Sequence, residues 1–110
     1  MGFASALPMT LRENFGGALR TVRRFRKAPQ EALDVVSSRT YVSSLERGLK
    51  SPTLDKIDSL AEALNVHPLT LVALTYLRSR TRSEQRAILE KVRSQLEELS
   101  KFEKKQRTEP

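Results

Sequence analysis

The chain has 110 residues, a net charge of +7, a sequence pI of about 10.3 and only 5% aromatic residues, which limits it to one small domain with an appended element and points to an anionic partner. It has no cysteine, so disulfides, thiol redox chemistry and thiolate zinc sites are excluded. No apolar run approaches the ~20 residues that span a bilayer, and Met1 to Pro8 lack the basic and long apolar stretches of a signal peptide, so no membrane partner and a cytoplasmic, nucleoid-associated location are expected.

Residues 1–9 show no periodicity and are expected to form a flexible N-terminal arm. Thr10 and Glu13 have the spacing of a capping box and start a first helix, with Leu11, Phe15, Leu19, Val22 and Phe25 inward and Arg20, Arg23, Arg24, Arg26 and Lys27 around the remaining circumference. Gly16 and Gly17 each cost this helix about 1 kcal/mol relative to alanine, which predicts either fraying or very close packing against a neighbour. Pro29-Gln30-Glu31 opens a second helix, with Leu33 and Val36 facing the core.

A third helix is expected after Ser38 or Ser37, either of which can cap it, and Gly48 can take the left-handed conformation that ends it. Val42 and Leu45 lie on one face. Arg39, Thr40, Ser43 and Ser44 point elsewhere, and a guanidinium with three small hydroxyls can reach base edges in a DNA major groove without blocking the helix from entering. Arg39 is the sharpest candidate, because its guanidinium can donate two parallel hydrogen bonds to guanine O6 and N7. Of the net +7, +5 falls in the first fifty residues, the half that holds this helix.

Thr53 caps a fourth helix with Leu54, Ile57, Leu60, Ala61 and Leu64 on a core face, and Asn65 terminates it. Pro68 leads into a fifth helix whose Leu69, Leu71, Val72, Leu74 and Leu77 are apolar nearly all round, so it needs cover on more than one side. From Arg78 the composition turns polar and basic. Thr81 with Glu84, or Ser83, caps an amphipathic helix within residues 80–105, followed by a frayed tail at 106–110. Leu89, Val92, Leu96 and Leu99 recur at the spacing of a coiled-coil seam, and Ile88 and Phe102 widen the stripe. Left alone, it would expose a continuous apolar strip, so it folds back on the body or pairs with a second copy; these six residues are the expected dimerisation surface.

Gln30-Glu31-Ala32-Leu33, Arg39-Thr40-Tyr41-Val42-Ser43, Leu45-Glu46-Arg47-Gly48 and Pro52-Thr53-Leu54, in that order, resemble the Cro/CI-like (Xre) family of helix-turn-helix DNA-binding domains, over roughly residues 15 to 75. The resemblance implies an all-α architecture, a five-helix DNA-binding domain over residues 10–79 followed by the C-terminal amphipathic helix. It implies base reading by Arg39, Thr40, Ser43 and Ser44, a DNA-backbone contact by Gln30 and a structural ion pair between Arg23 and Glu46. Arg47, Lys50 and Ser51, just after the third helix, are further expected contacts to the DNA backbone, and Tyr41 either meets the backbone or a thymine methyl or stands as a ring between helices. The interval from Gln30 to Arg39 is two residues shorter than the family's usual one. A trimmed second helix, or a tighter turn through Val36-Ser37-Ser38, absorbs the loss.

The expected function is that of a homodimeric, sequence-specific regulator of transcription that binds double-stranded DNA, most simply a repressor. Two alternatives stay open: an antitoxin-type protein whose C-terminal stripe covers a protein partner while the head autoregulates its operon, and a nucleic-acid binder without sequence preference. There is no Gly-rich phosphate loop, nucleophile elbow or metal-ligand cluster, and His67 reads as a helix-start residue beside Pro68. No enzymatic activity, cofactor or metal is expected.

Overall fold

The computed structural model describes residues 9–108; most of the expected N-terminal arm, residues 1–8, and the end of the expected tail, 109–110, lie outside them. The chain divides into two compact units, Met1–Arg78 and Ser79–Pro110. All described secondary structure is helical: α1 (Leu11–Phe25), a 3-10 turn (Gln30–Leu33), α2 (Arg39–Glu46), α3 (Leu54–Ala63), α4 (Pro68–Leu77) and α5 (Arg82–Thr108).

Local chemistry sets the helix starts. Thr10 and Glu13 form a reciprocal capping box on α1, and Ser38 and Thr53 each accept the backbone N–H three residues on, from Tyr41 and Lys56. His67 starts α4, its Nδ1 accepting the Leu69 N–H at 3.0 Å ahead of Pro68 at the first turn. Lys27, Gly48 and Asn65 follow α1, α2 and α3 with φ of 57°, 74° and 56°, the left-handed geometry that turns the chain out of a helix.

The first unit closes around Phe15, Ala18, Leu19, Val22, Leu33, Val42, Leu45, Leu60, Ala61, Leu64 and Leu71, one core built from α1, the 3-10 turn and α2 to α4. Three expected core residues lie outside it. Leu11 and Leu54 are the first residues of their helices and lie at the rim, 54% and 81% exposed, while Phe25 ends α1 at 75% exposure with the Arg26 guanidinium 5.4 Å from its ring. The α4 helix buries Leu71 and Thr75 but leaves Leu69 and Tyr76 exposed, so within this unit one side of it stays open.

The second expected helix is a single 3-10 turn. Pro29 caps it from extended backbone rather than standing inside its first turn, and the chain leaves through turns at Asp34 to Val36. Trimming this element absorbs the short interval before Arg39. Leu33 remains fully buried and Val36 packs against the core, so the turn keeps the anchoring contacts of a longer helix.

Within its own unit, α5 is one continuous helix, reaching Thr108, three residues past the expected end. Thr81 and Glu84 form its capping box. It buries no residue there: Leu89, Val92, Leu96, Leu99 and Phe102 are 45–60% exposed along one stripe. No single described helix is long and apolar enough to cross a membrane.

Candidate nucleic-acid interface

At about 100° per residue, Arg39, Thr40, Ser43 and Arg47 fall within one arc of α2 about 100° wide. Thr40, Arg39 and Arg47 are exposed and Ser43 is half-buried; with Gln30 the four line one open concavity. The opposite arc, Val42, Leu45 and Glu46, is buried. Ser44, expected among the base readers, lies about 40° beyond the open arc. It is 8% exposed and faces the protein, so it leaves the outward set.

Glu46 ties the inner arc of this helix to α1. Its side chain is 1% exposed, and Arg23 from α1 clasps it with two hydrogen bonds, Nε to Oε2 at 2.6 Å and Nη2 to Oε1 at 2.9 Å. Arg23 also donates to the Ala28 carbonyl at 3.0 Å, tying the end of α1 to the same carboxylate. Arg20 lies one helical turn earlier, with Nε 3.6 Å from Oε1. Burial pushes the Glu46 carboxyl up. Hydrogen bonds from Arg23 and Gln30, with the charges of Arg23 and Arg20, outweigh that and hold it below the usual carboxylate range. The hydrogen bonds that Arg23 donates to Glu46 in turn raise the pKa of its guanidinium.

Close packing complements the ion pair. A Cβ on Gly16 would lie 2.7 Å from the Glu46 carbonyl oxygen, so only glycine lets α1 cross this near the end of α2. Gly48 then leaves α2 at φ 74°, and its carbonyl accepts from Arg12 Nε at 3.0 Å.

The remaining candidate residues sit at the rim. Gln30 donates its side-chain amide to Glu46 Oε1 at 3.0 Å, which places the expected phosphate contact beside the ion pair. Tyr41 is half-buried against the core, and the ammonium groups of Lys50 and Lys56 stand 5.8 and 5.6 Å from its ring centroid. Lys50 and Ser51 are exposed just after α2. Arg39 is not idle: its Nη2 lies 3.3 Å from Glu31 Oε2, with both side chains more than half exposed.

Two of these roles were missed in the sequence. Lys56 has no neighbour in sequence that marks it for a role, yet it donates to the Val36 carbonyl at 2.8 Å and so straps the turn before α2 to α3. Glu31 reads only as a helix-start acid, and no local pattern marks it as the neighbour of Arg39. The 3-10 turn brings them together. The described residues hold no cluster of three or more potential metal ligands.

A helix-turn-helix family model matches residues 30–71, from the 3-10 turn into α4. An uncharacterized HTH-type transcriptional regulator of Sinorhizobium fredii, y4dJ, is 38% identical over 69 residues, covering 61% of this chain and 90% of that protein. The structure of the clp gene regulator ClgR from C. glutamicum matches with a TM-score of 0.61 and 28% identity, over 66% of this chain and 95% of that one. The restriction-modification controller protein C.AhdI from Aeromonas hydrophila matches with a TM-score of 0.52 and 35% identity, over 55% and 94%. A helix locked on its inner arc by an ion pair and open on its outer arc, in a fold and sequence shared with these regulators, places the chain in the Cro/CI-like (Xre) family of helix-turn-helix DNA-binding transcriptional regulators, a family without enzymatic activity.

Proposed function

We propose that this regulator acts as a homodimeric repressor that reads a specific double-stranded DNA operator, each protomer laying α2 in a major groove. The observation that carries the reading is the outward arc of α2, where Arg39, Thr40 and Ser43 stand together while Glu46 holds the inner arc to α1. Arg39 donates to a guanine edge, and Thr40 and Ser43 complete the base contacts. Gln30, Arg47, Lys50 and Ser51, with Tyr41 at the edge, hold phosphates and set the register.

A single head of this size makes few base contacts. Joining two through the α5 stripe, Ile88, Leu89, Val92, Leu96, Leu99 and Phe102, multiplies affinity and specificity, and two-fold symmetry calls for half-sites about 34 Å apart. Such a protein works in the cytoplasm at the nucleoid, and occluding a promoter is its simplest action. Control of restriction-modification, the role that names C.AhdI, falls within this reading.

The test is selection of bound duplexes from a random library at near-physiological salt, followed by sequencing. Enrichment of an inverted repeat supports the reading. Retention with no enriched motif, with affinity falling about 0.9 log units per released counterion per log unit of salt on any duplex, overturns it in favour of non-specific binding.

A further inference from the structure

The exposed stripe of α5 carries its own directional information. We propose that two copies of α5 pair antiparallel, with the two-fold axis beside Ser94 and Gln95; this rests on the homodimer reading above and gives its geometry. In a heptad frame that puts Leu89 and Leu96 at one seam position and Val92 and Leu99 at the other, the seam continues outward to Arg82 and Glu103 in the first series and to Gln85 and Gln106 in the second.

The end positions decide the direction. Parallel, in-register pairing sets like against like, so Glu103 faces the partner's Glu103 and Arg82 faces the partner's Arg82, with two charge repulsions at the seam. Antiparallel pairing sets Val92 against the partner's Leu96 and Leu89 against the partner's Leu99. Ile88 then flanks the partner's Phe102. At the ends, Glu103 meets the partner's Gln85 with the partner's Arg86 beside it, and Arg82 meets the partner's Gln106, so both repulsions vanish. The axis-proximal charge is already balanced: each Arg93 is held at 2.7 Å by Glu90 and at 3.3 Å by Glu97 of its own helix.

The length of α5 fits the same arrangement. Arg82 lies about 18 Å along the helix from the axis, so the two points where the reading domains join the pair are about 36 Å apart, close to the ~34–36 Å between half-site centres. A parallel pair would bring those points to about 10 Å. Domains of some 70 residues, about 28 Å across from their expected radius of gyration, would then crowd at one end.

Because the chain has no cysteine, introduced thiols are unique. The full-length variants Gln85→Cys and Glu103→Cys are oxidised separately and after mixing, with the unmodified chain's mass in solution measured alongside. Antiparallel pairing yields little covalent dimer from either variant alone and a disulfide-linked heterodimer from the mixture. Covalent homodimers from each variant alone overturn the proposed direction while leaving the homodimer standing, whereas a monomeric mass for the unmodified chain overturns the homodimer itself. A nitroxide on Ser83→Cys gives a second reading that needs no disulfide: a spin separation above about 30 Å supports the antiparallel pair, and one below about 20 Å overturns it.

Discussion

Gln30 and Arg23 share one acceptor. The amide of Gln30 and the guanidinium of Arg23 both donate to Glu46 Oε1, at 3.0 and 2.9 Å, so the rim of the candidate interface and the lock on the inner arc of α2 meet at a single carboxylate oxygen. Glu46→Gln breaks the buried pair and leaves the Arg23 charge uncompensated. The expected loss is about 3 kcal/mol, or a drop in melting temperature of at least ~10 °C by calorimetry. DNA affinity should fall with it even where the variant is fully folded, since α2 and Gln30 lose their common reference.

The same carboxylate gives a pH dependence. Unfolded glutamate titrates near ~4.3, and folded Glu46 lies below its ordinary value. Its contribution is therefore fully present above the unfolded value and is lost as pH falls through the folded one. Thermal melts taken from pH 6 down to pH 3 should show a steeper loss of stability below about pH 4 in the native chain than in Glu46→Gln. Parallel curves would remove Glu46 as the source.

The two adjacent glycines of α1 should respond in opposite ways. At Gly16 a methyl meets the backbone of Leu45 and Glu46, so Gly16→Ala is expected to cost about 2 kcal/mol or more through overpacking. At Gly17 the nearest atoms belong to the guanidinium of Arg78, the far end of a flexible side chain that can move aside. The helix-propensity gain of up to about 1 kcal/mol then leaves Gly17→Ala neutral or slightly stabilising in a denaturant melt.

Arg39→Ala should leave stability unchanged, because its ion pair with Glu31 is exposed on both sides. Binding to the selected operator should weaken by about 10- to 100-fold, the worth of a bidentate guanine contact, with little change on unrelated DNA. An equal loss on both would demote Arg39 to a phosphate contact. Glu31→Gln frees the guanidinium and removes an anion from the interface, so the operator should be bound more tightly.

Truncation after Arg80 deletes α5 and should convert a dimer to a monomer in sedimentation, with operator affinity falling steeply while the shortened chain still melts cooperatively. A truncated chain that stays dimeric would take the stripe out of its proposed role.

Much of this was legible from short-range chemistry. Thr10, Ser38, Thr53, Thr81 and Gly48 are caps and stops whose function depends on neighbours a few residues away, and they behave as their residue types dictate. Periodicity also found Leu19, Leu33, Val42, Leu45 and Leu60, all fully buried. It failed at helix ends, where Leu11, Leu54 and Phe25 keep the right spacing but run past the edge of the core. Ser44 shows the finer limit, since a small hydroxyl carries no sign of which side of a helix it serves; about 40° of rotation separates reading from burial. The roles of Lys56 and Glu31 depend on where a 3-10 turn delivers the chain, and no local pattern encodes that.

The pair between Arg39 and Glu31 gives the free surface a resting occupant. On the proposed reading, an arginine already paired with a carboxylate meets DNA by exchanging one acceptor for another. A lone phosphate offers little more than Glu31 already does, while a guanine edge offers two aligned acceptors at once. The acid beside Arg39 thus leans the proposed exchange towards a guanine edge and away from a lone phosphate, by no more than the ~0–1 kcal/mol that an exposed ion pair is worth.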